Sequence, residues 1–374
     1  MIEKALPPSG KIKNTMPNRA LDYQLIEQAQ GLDAFYQEHK KLSWMAFDTE
    51  FVGEKRFFTR LCLIQVKSEK GLFLIDPIRL GRLDPFLDLI TDRKVTKITH
   101  AGDNDYRLLN NLFGIVPSNV FDTQIAAVLC GYEMPPSYQK LVQAELGIAL
   151  EKHATRTDWL KRPLDDEQLR YAAEDVEHLH PLFERLDRQL RELGRRQWLD
   201  EDCARAVARA RAPGDPYPHL KVRAIERMSA AQQQRLWRLL MWRDAEAMQR
   251  NRPKRWILDN PVAIRAALLE CPSRSDLEAA VAADGKPSPR LAQKLETILH
   301  AEASAEELAI PLQSLLTEAE KARAKTLRET VVKEAERLGI SADSLLPRRA
   351  LEHWARRDQL PDDLRGWRDG VLGL

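Results

Sequence analysis

The sequence predicts an α/β domain, in which helices flank a mixed sheet, followed by two all-helical modules. Short segments rich in β-forming residues are confined to the first third of the chain, and helix-length apolar periodicity dominates from about residue 121. A stretch rich in proline and glycine, APGDPYP, separates the two regions. Strands that come first, with helices between and after them, are typical of a mixed sheet covered by helices.

The predicted elements of the first region are short. Strands are expected at 44–51, 60–66, 72–75 and 97–100, and a helix is expected at 103–113. The segment after 218 contains no convincing strand and is too long for one small helical bundle. We therefore predict four parts: a sheet-containing domain at 1–211, a linker at 212–218, and helical modules at 219–300 and 301–374.

The composition is that of an ordinary globular protein. The 374 residues carry a net charge of +2, and this balance is too mild to indicate a nucleic-acid partner by itself. We find no secretory signal and no apolar run near the ~18 residues that span a bilayer, so we expect a cytoplasmic protein without a membrane partner. The four cysteines are far apart in sequence, which favours reduced, buried thiols.

Two acids lie inside the apolar strand-like segment FDTEF. Side chains at i and i+2 share one face of a strand, so Asp48 and Glu50 point the same way. Burying two like charges is costly unless a cation joins them, and carboxylate oxygens suit Mg²⁺ or Mn²⁺. A solvated acidic face on an edge strand would also explain the pair.

Two further segments carry acids at informative positions. Tyr171 and Asp175 are four residues apart, so they share one face of a helix, although an amphipathic helix with a solvated acid has the same pattern. In HAGDNDY, both aspartates follow a predicted strand. Asp103 is interpreted as the N-cap of the next helix, and Asp105, in its first turn, as a residue that faces a site.

Together, these motifs resemble the tyrosine-containing branch of the DEDD superfamily of 3′→5′ exonucleases. Asp48 and Glu50 match its first motif, Asp105 its second acid, and Tyr171 and Asp175 its third motif. The flanking segments are similar to the ribonuclease D family: RLCLIQ (60–65), HAGDND (100–105), FDTQIAA (121–127), DWLKRPL (158–164) and YAAEDVEHL (171–179). The helical half resembles its paired HRDC modules in LLMWRD (239–244), NRP (251–253) and LRGWR (364–368). One departure is Tyr138, where the family is expected to carry leucine.

The resemblance implies a ribonuclease H-like exonuclease domain at 1–211 and two divalent ions, Mg²⁺ or Mn²⁺, held by four carboxylates. Asp48, Glu50, Asp105 and Asp175 would bind the ions, and Tyr171 would orient the attacking water. The implied reaction releases 5′-mononucleotides from RNA 3′ ends. The implied partners are tRNA precursors with a 3′ extension.

Five other residues are candidate substrate contacts. His100 stands in the HAG segment, and Phe57 could stack on a terminal base or pack in the core. The remaining three, Arg156, Trp159 and Arg162, are interpreted as phosphate and base contacts or as an exposed loop that its tryptophan anchors.

Two other functions are compatible with the same motifs. A DNA 3′→5′ exonuclease would use the same catalytic domain, and no residue is identified that reads the 2′-hydroxyl. A non-catalytic RNA-binding scaffold would be expected to lack one or more of the acids, and all four acids and Tyr171 are present.

Overall fold

The computed structural model describes residues 22–150, 157–212, 214–283 and 287–374. The described residues before 212 form six strands and nine helices. The strands are β1 (Gln24–Ile26), β2 (Trp44–Val52), β3 (Arg60–Ser68), β4 (Gly71–Ile75), β5 (Thr96–Thr99) and β6 (Val120–Asp122). The helices are α1 (Ala29–His39), α2 (Pro77–Leu80), α3 (Asp84–Thr91), α4 (Asp103–Phe113), α5 (Thr123–Leu129), α6 (Tyr138–Leu146), α7 (Asp166–Glu177), α8 (Leu179–Glu192) and α9 (Arg196–Arg211).

The strands form one mixed sheet in the order β1-β4-β3-β2-β5-β6. β3 runs antiparallel to β2 and β4, and the other pairs are parallel. The predicted mixed sheet with flanking helices is therefore confirmed, and α4 has the predicted bounds. The prediction missed β1 and β6, because strands of three residues are too short to show an alternating pattern.

Helices cover both faces of the sheet. Met45 and Phe47 of β2 belong to a core shared with α1, α3, α4, α5 and α8. Ala46 points the other way, into a second core that α7 covers with Leu169, Ala172 and Val176. Residues 46, 48 and 50 share one face of the strand, so the two acids of FDTEF are directed towards α7.

The rest of the described chain is helical, and no strand follows residue 218 there. Three short 3₁₀ turns, Pro218–Lys221, Ile225–Arg227 and Asp362–Leu364, accompany ten α-helices: α10 (Ala230–Gln249), α11 (Lys254–Ile257), α12 (Asn260–Leu268), α13 (Arg274–Ala282), α14 (Pro289–Leu299), α15 (Ala305–Leu308), α16 (Glu318–Leu338), α17 (Ala342–Leu345), α18 (Arg348–Arg357) and α19 (Trp367–Leu372). Helices α10 and α12–α14 enclose their own apolar core.

The last helices pack on the sheet-containing domain. Trp367 of α19 stacks on Trp198 of α9 with ring centroids 4.4 Å apart, and Arg368 donates to Asp202 at 2.7 Å. The segment just after residue 301 still contacts α10, because Glu307 Oε2 of α15 lies 2.6 Å from Arg238 Nε of α10. The division into modules at 300 and 301 stays a prediction.

Two expectations from the sequence concern membrane-spanning helices and the state of the four cysteines. None of the described helices is long and apolar enough to cross a membrane. All four cysteines are free thiols, as expected, and Cys62 and Cys203 are buried. The expectation of burial is wrong for Cys271, which is exposed.

Candidate active site

The first pair of carboxylates comes from the central strand. Asp48 and Glu50 are both half-buried on the face of β2 that α7 covers. β2 is flanked by β3 and β5, so it is not an edge strand, and the alternative of a solvated edge does not apply. A bulge between Glu50 and Phe51 interrupts the pairing with β3 immediately after the second acid.

The third carboxylate enters from the start of α4. Asp105 is buried in the first turn of the helix and accepts a hydrogen bond from the Thr49 hydroxyl of β2. This contact ties Asp105 to the strand segment between the first two acids. The interpretation of Asp103 as an N-cap is wrong, because the cap position is Gly102 and no side chain caps the helix.

The turn before α4 is shaped by its neighbours. A Cβ on Gly102 would lie 2.5 Å from the Tyr106 ring, so only glycine fits beneath that ring. Asp122 accepts from the backbone N–H groups of Ala101 at 3.1 Å and Gly102 at 2.9 Å. The same carboxylate caps α5 by accepting from Gln124 N–H at 2.8 Å.

The fourth carboxylate lies on α7. Tyr171 and Asp175 share one face of the helix, as their spacing predicts, and the Tyr171 hydroxyl donates to the Asp175 carboxylate. Tyr138 supports this end of α7, because its hydroxyl donates to Glu174 O at 3.0 Å and accepts from His178 N–H at 3.1 Å. The position noted as a departure from the family thus contacts the helix that carries Asp175.

Burial and the neighbouring acids disfavour the ionised form of each of the four carboxyl groups. Burial, and then the Asp175 carboxylate, raises the pKa of Asp48 to about 8. Burial, and then Asp48 and Asp105, raises the pKa of Glu50 to about 8. The pKa values of Asp105 and Asp175 are also raised well above the usual range, first by burial and then by Asp48 and Glu50, respectively. The four carboxylates therefore lie in one electrostatic environment.

Two candidate substrate contacts are turned towards the protein. Trp159 is buried, with its ring centroid 6.1 Å from that of Tyr171. The guanidinium of Arg162 lies 2.5 and 3.0 Å from the two carboxylate oxygens of Asp76 and donates to Cys62 O at 2.7 Å. Both side chains support the surroundings of α7, so their predicted contacts with substrate would require a change of position.

The other three candidates have different positions. The His100 ring nitrogens lie 2.9 Å from Thr123 Oγ1 and 3.2 Å from Pro136 O. Phe57 lies outside the apolar cores, half-buried in the loop that follows β2. Arg156 lies outside the described residues.

The loop at 53–59 is held by the first helical module. Asn251 Oδ1 accepts from the backbone N–H groups of Phe57 at 3.1 Å and Phe58 at 3.0 Å. Lys254 Nζ lies 5.9 Å from the centre of the Phe57 ring. The first helical module is therefore in direct contact with the loop that follows β2, the strand that carries Asp48 and Glu50.

Comparisons with known proteins agree with this geometry. Residues 23–191 match a family model described as 3′-5′ exonuclease. Ribonuclease D of Xanthomonas oryzae pv. oryzae is 37% identical over 332 residues, which cover 88% of this chain and 90% of that protein. Ribonuclease D of Pseudomonas paraeruginosa is 34% identical over 95% of this chain and 96% of its own length.

The chain belongs to the ribonuclease D family. Family membership makes it a nuclease of the 3′→5′ exoribonuclease class, whose members depend on divalent metal ions.

Solved structures extend the likeness to the helical half. The crystal structure of Escherichia coli RNase D, described as an exoribonuclease involved in structured RNA processing, superposes with a TM-score of 0.81 at 25% identity. The match covers 94% of this chain and 97% of that one. The catalytic core of RRP6 from Trypanosoma brucei, at 21% identity and a TM-score of 0.56, shares the fold. The helical half therefore has the architecture of HRDC modules, as the resemblance to ribonuclease D implied.

The donor set fits the divalent ions on which the ribonuclease D family depends. Hard carboxylate oxygens are the ligands that Mg²⁺ and Mn²⁺ prefer. Of the residues that the structure describes, no lysine or arginine is among the groups that shift the pKa values of the four acids. In the described part of the chain, no three or more His, Cys, Asp or Glu side chains form, as they are placed, a group that could hold a metal ion. The four acids therefore supply suitable donor atoms, and no cation from the described residues compensates their charge.

Sequence reasoning missed three residues of this ribonuclease D site. Thr49, Gln65 and Tyr138 all lie against the elements that carry the acids, and none was a candidate. The available signal was a polar residue inside an apolar run, as in FDTEF and RLCLIQV. That signal shows where a polar side chain is unusual, but it does not show which residue it contacts.

Proposed function

We propose that this chain removes 5′-mononucleotides one at a time from RNA 3′ ends by a two-metal mechanism, and that tRNA precursors with a 3′ extension are among its substrates. One observation carries the proposal: four carboxylates from β2, α4 and α7 lie in one environment where each opposes the charge of another, and no lysine or arginine of the described residues compensates them. Two divalent ions and a phosphate need about this much negative charge.

Each acid has a proposed role. Asp48, Glu50 and Asp175 would hold one ion, and Asp48 with Asp105 would hold the other. When bound, such ions activate a water and stabilise the leaving 3′ oxygen. The Thr49 hydroxyl donates a hydrogen bond to the Asp105 carboxylate. This hydrogen bond limits the movement of Asp105 during the reaction.

Tyr171 is assigned the orientation of the attacking water. Burial, and then Asp175, raises the pKa of this phenol above its usual value near 10, so the phenol keeps its proton near neutral pH. A phenol that keeps its proton is no general base, but it can donate and accept hydrogen bonds. Its position one helical turn from Asp175 suits this role.

Tyr171→Phe tests this assignment. We expect kcat to fall about 10–100-fold, because water orientation is lost while all four carboxylates remain. The Tyr171 hydroxyl also donates to the Asp175 carboxylate, so the affinity for Mn²⁺ is expected to fall as well, and kcat is therefore measured at saturating Mn²⁺. A variant with unchanged kcat would exclude Tyr171 from the reaction.

The direct test of the activity is degradation of a 5′-labelled RNA with a single-stranded 3′ tail. With Mg²⁺ or Mn²⁺, we expect a ladder that shortens from the 3′ end, and no ladder with EDTA or with Asp175→Ala. A matched DNA strand separates the two nuclease alternatives. Binding of the RNA without a ladder under either metal would favour the non-catalytic scaffold.

A cationic and aromatic cavity in the first helical module is the proposed binding site for the body of the RNA. The cavity, of about 540 Å³, is lined by Trp256, Arg290 and Lys294 among others. Trp256 is 50% exposed, and Arg252 lies 5.8 Å from the centre of its ring. Exposed rings beside cations suit base stacking and phosphate contacts.

The position of the cavity links it to the reaction. Trp256 belongs to α11, and α11 begins at Lys254, the residue beside the Phe57 ring. A strand of RNA that leaves the carboxylates past loop 53–59 would therefore meet this module first. The involvement of E. coli RNase D in structured RNA processing is consistent with a second contact of this kind.

Lys294→Glu tests the cavity. We expect the affinity for a long RNA to fall about 5–10-fold and the slope of log affinity against log salt concentration to fall by about one, because one phosphate contact is lost. Cleavage of a dinucleotide should change by less than about twofold, because it reaches only the carboxylates. Lys325→Glu, an exposed change on α16 outside the cavity, is the matched control. Equal losses of RNA affinity in the two variants would indicate a general charge effect.

A further inference from the structure

Gln65 of β3 is a buried amide without a hydrogen-bond partner. Its side chain is 0% exposed, and neither Oε1 nor Nε2 has a partner. Among the side chains that the structure describes, it is the only one with two such buried atoms. Buried polar groups without partners are rare and costly, so this one calls for an explanation.

The strand register places this amide beside the candidate active site. Gln65 is directly opposite Asp48 in the antiparallel pairing of β3 with β2. Directly opposite residues point to the same face, with Cβ atoms about 4.5–5.5 Å apart. The neighbours of Gln65 along β3 agree, because Leu63 belongs to the core under α7 and Lys67 donates to Glu177 of α7 at 2.8 Å.

Few groups on this face can serve the amide. Along β3 the next residues on the face are an apolar leucine and Lys67, which already has its partner in Glu177. On the other neighbouring strand, Gln65 is paired with Leu74, which is apolar and buried. Of the four residues that flank Gln65 within the sheet, this leaves Asp48 as the one with free acceptor capacity.

We propose that Gln65 is a positioning residue for the metal site. The two side chains form no hydrogen bond in the structure, but their opposite positions on β2 and β3 would let a small side-chain movement bring the amide N–H to one oxygen of Asp48. The rest of that carboxylate would remain for the divalent ions. A ligating carboxylate is usually held by such a hydrogen bond, which fixes its orientation. The proposal rests on the proposed function, in which Asp48 is shared by both ions. It assigns no chemical step to Gln65.

Gln65→Leu separates a positioning role from a purely structural one. The substitution removes the amide at similar volume, so the melting temperature without metal should stay the same or rise, because an unsatisfied buried group is lost. The affinity for Mn²⁺, measured by calorimetry on the full-length protein, should fall about 10-fold or more. The kcat for a dinucleotide at saturating Mn²⁺ should fall as well.

Leu63→Val is the matched control. It perturbs the packing under α7 on the same face of β3, so it should lower the melting temperature and leave the affinity for Mn²⁺ within about twofold. Gln65→Leu with an unchanged Mn²⁺ affinity, or with a lower melting temperature and no other effect, would overturn the positioning role. If the wild type itself binds no Mn²⁺, the proposed function fails before Gln65 is tested.

Discussion

Asp105→Asn is expected to lower kcat by about 10³-fold, whereas Asp103→Asn changes it by less than about threefold. The two acids lie in the same first turn of α4. Asp105 is buried beside the other carboxylates, while the Asp103 side chain is half exposed and lies 3.9 Å from Arg209. Losing a metal ligand removes stabilisation of charge in the transition state, and losing a solvated acid does not.

The measurement is single-turnover cleavage of a 5′-labelled RNA at saturating Mg²⁺. Asparagine can still accept the hydrogen bond from Thr49, so Asp105→Asn should remain folded, with an unchanged or higher melting temperature. Equal activities in the two variants, or loss of activity in Asp103→Asn alone, would contradict the placement of Asp105 among the metal ligands.

The paired substitution Asp48→Asn with Glu50→Gln is expected to stabilise the metal-free protein at alkaline pH. Burial and the neighbouring acids raise the pKa of each acid to about 8, from ordinary values of 3.8 for Asp48 and 4.5 for Glu50. Between these limits the folded wild type holds protons that the unfolded chain has released, so its free energy of unfolding falls as pH rises. The variant has no carboxyl group at either position, so its free energy of unfolding does not fall with pH for this reason.

We expect the two proteins to have similar stability near pH 4 and the variant to be more stable by several kcal/mol near pH 9, because each raised pKa destabilises the charged wild type. Denaturant unfolding in EDTA measures the difference, in which shared contributions, such as the lowered pKa of buried His39, cancel. Mg²⁺ at 100 times its Kd should stabilise only the wild type, by about 2.7 kcal/mol. A wild type that is more stable than the variant at pH 9 without metal would show that the acids do not repel one another as described.

The parts of the site that follow local periodicity could be predicted from the sequence. Alternation along FDTEF directs Asp48 and Glu50 to one face, and helical spacing places Tyr171 and Asp175 together, because both rules relate residues within a few positions. The sequence also selected Asp105 rather than Asp103 as the acid that faces the site. It did so although it placed the N-cap of α4 at Asp103, one residue after the actual cap, Gly102.

The parts that depend on distant contacts could not be predicted. Arg162 is paired with Asp76, 86 residues away, and Phe57 is held by Asn251, 194 residues away. The pairing of Gln65 with Asp48 depends on the strand register and on the bulge after Glu50. Sequence reasoning marks such residues as unusual, but only the folded chain shows their partners.

The most direct test of the two-metal site is anomalous diffraction at the manganese absorption edge from crystals grown with Mn²⁺. We predict two peaks roughly 3.5–4 Å apart, with Asp48 bound to both and Glu50, Asp105 and Asp175 completing the set. A single peak, or peaks that do not contact Asp48, would contradict the proposal that four carboxylates hold two ions in this nuclease.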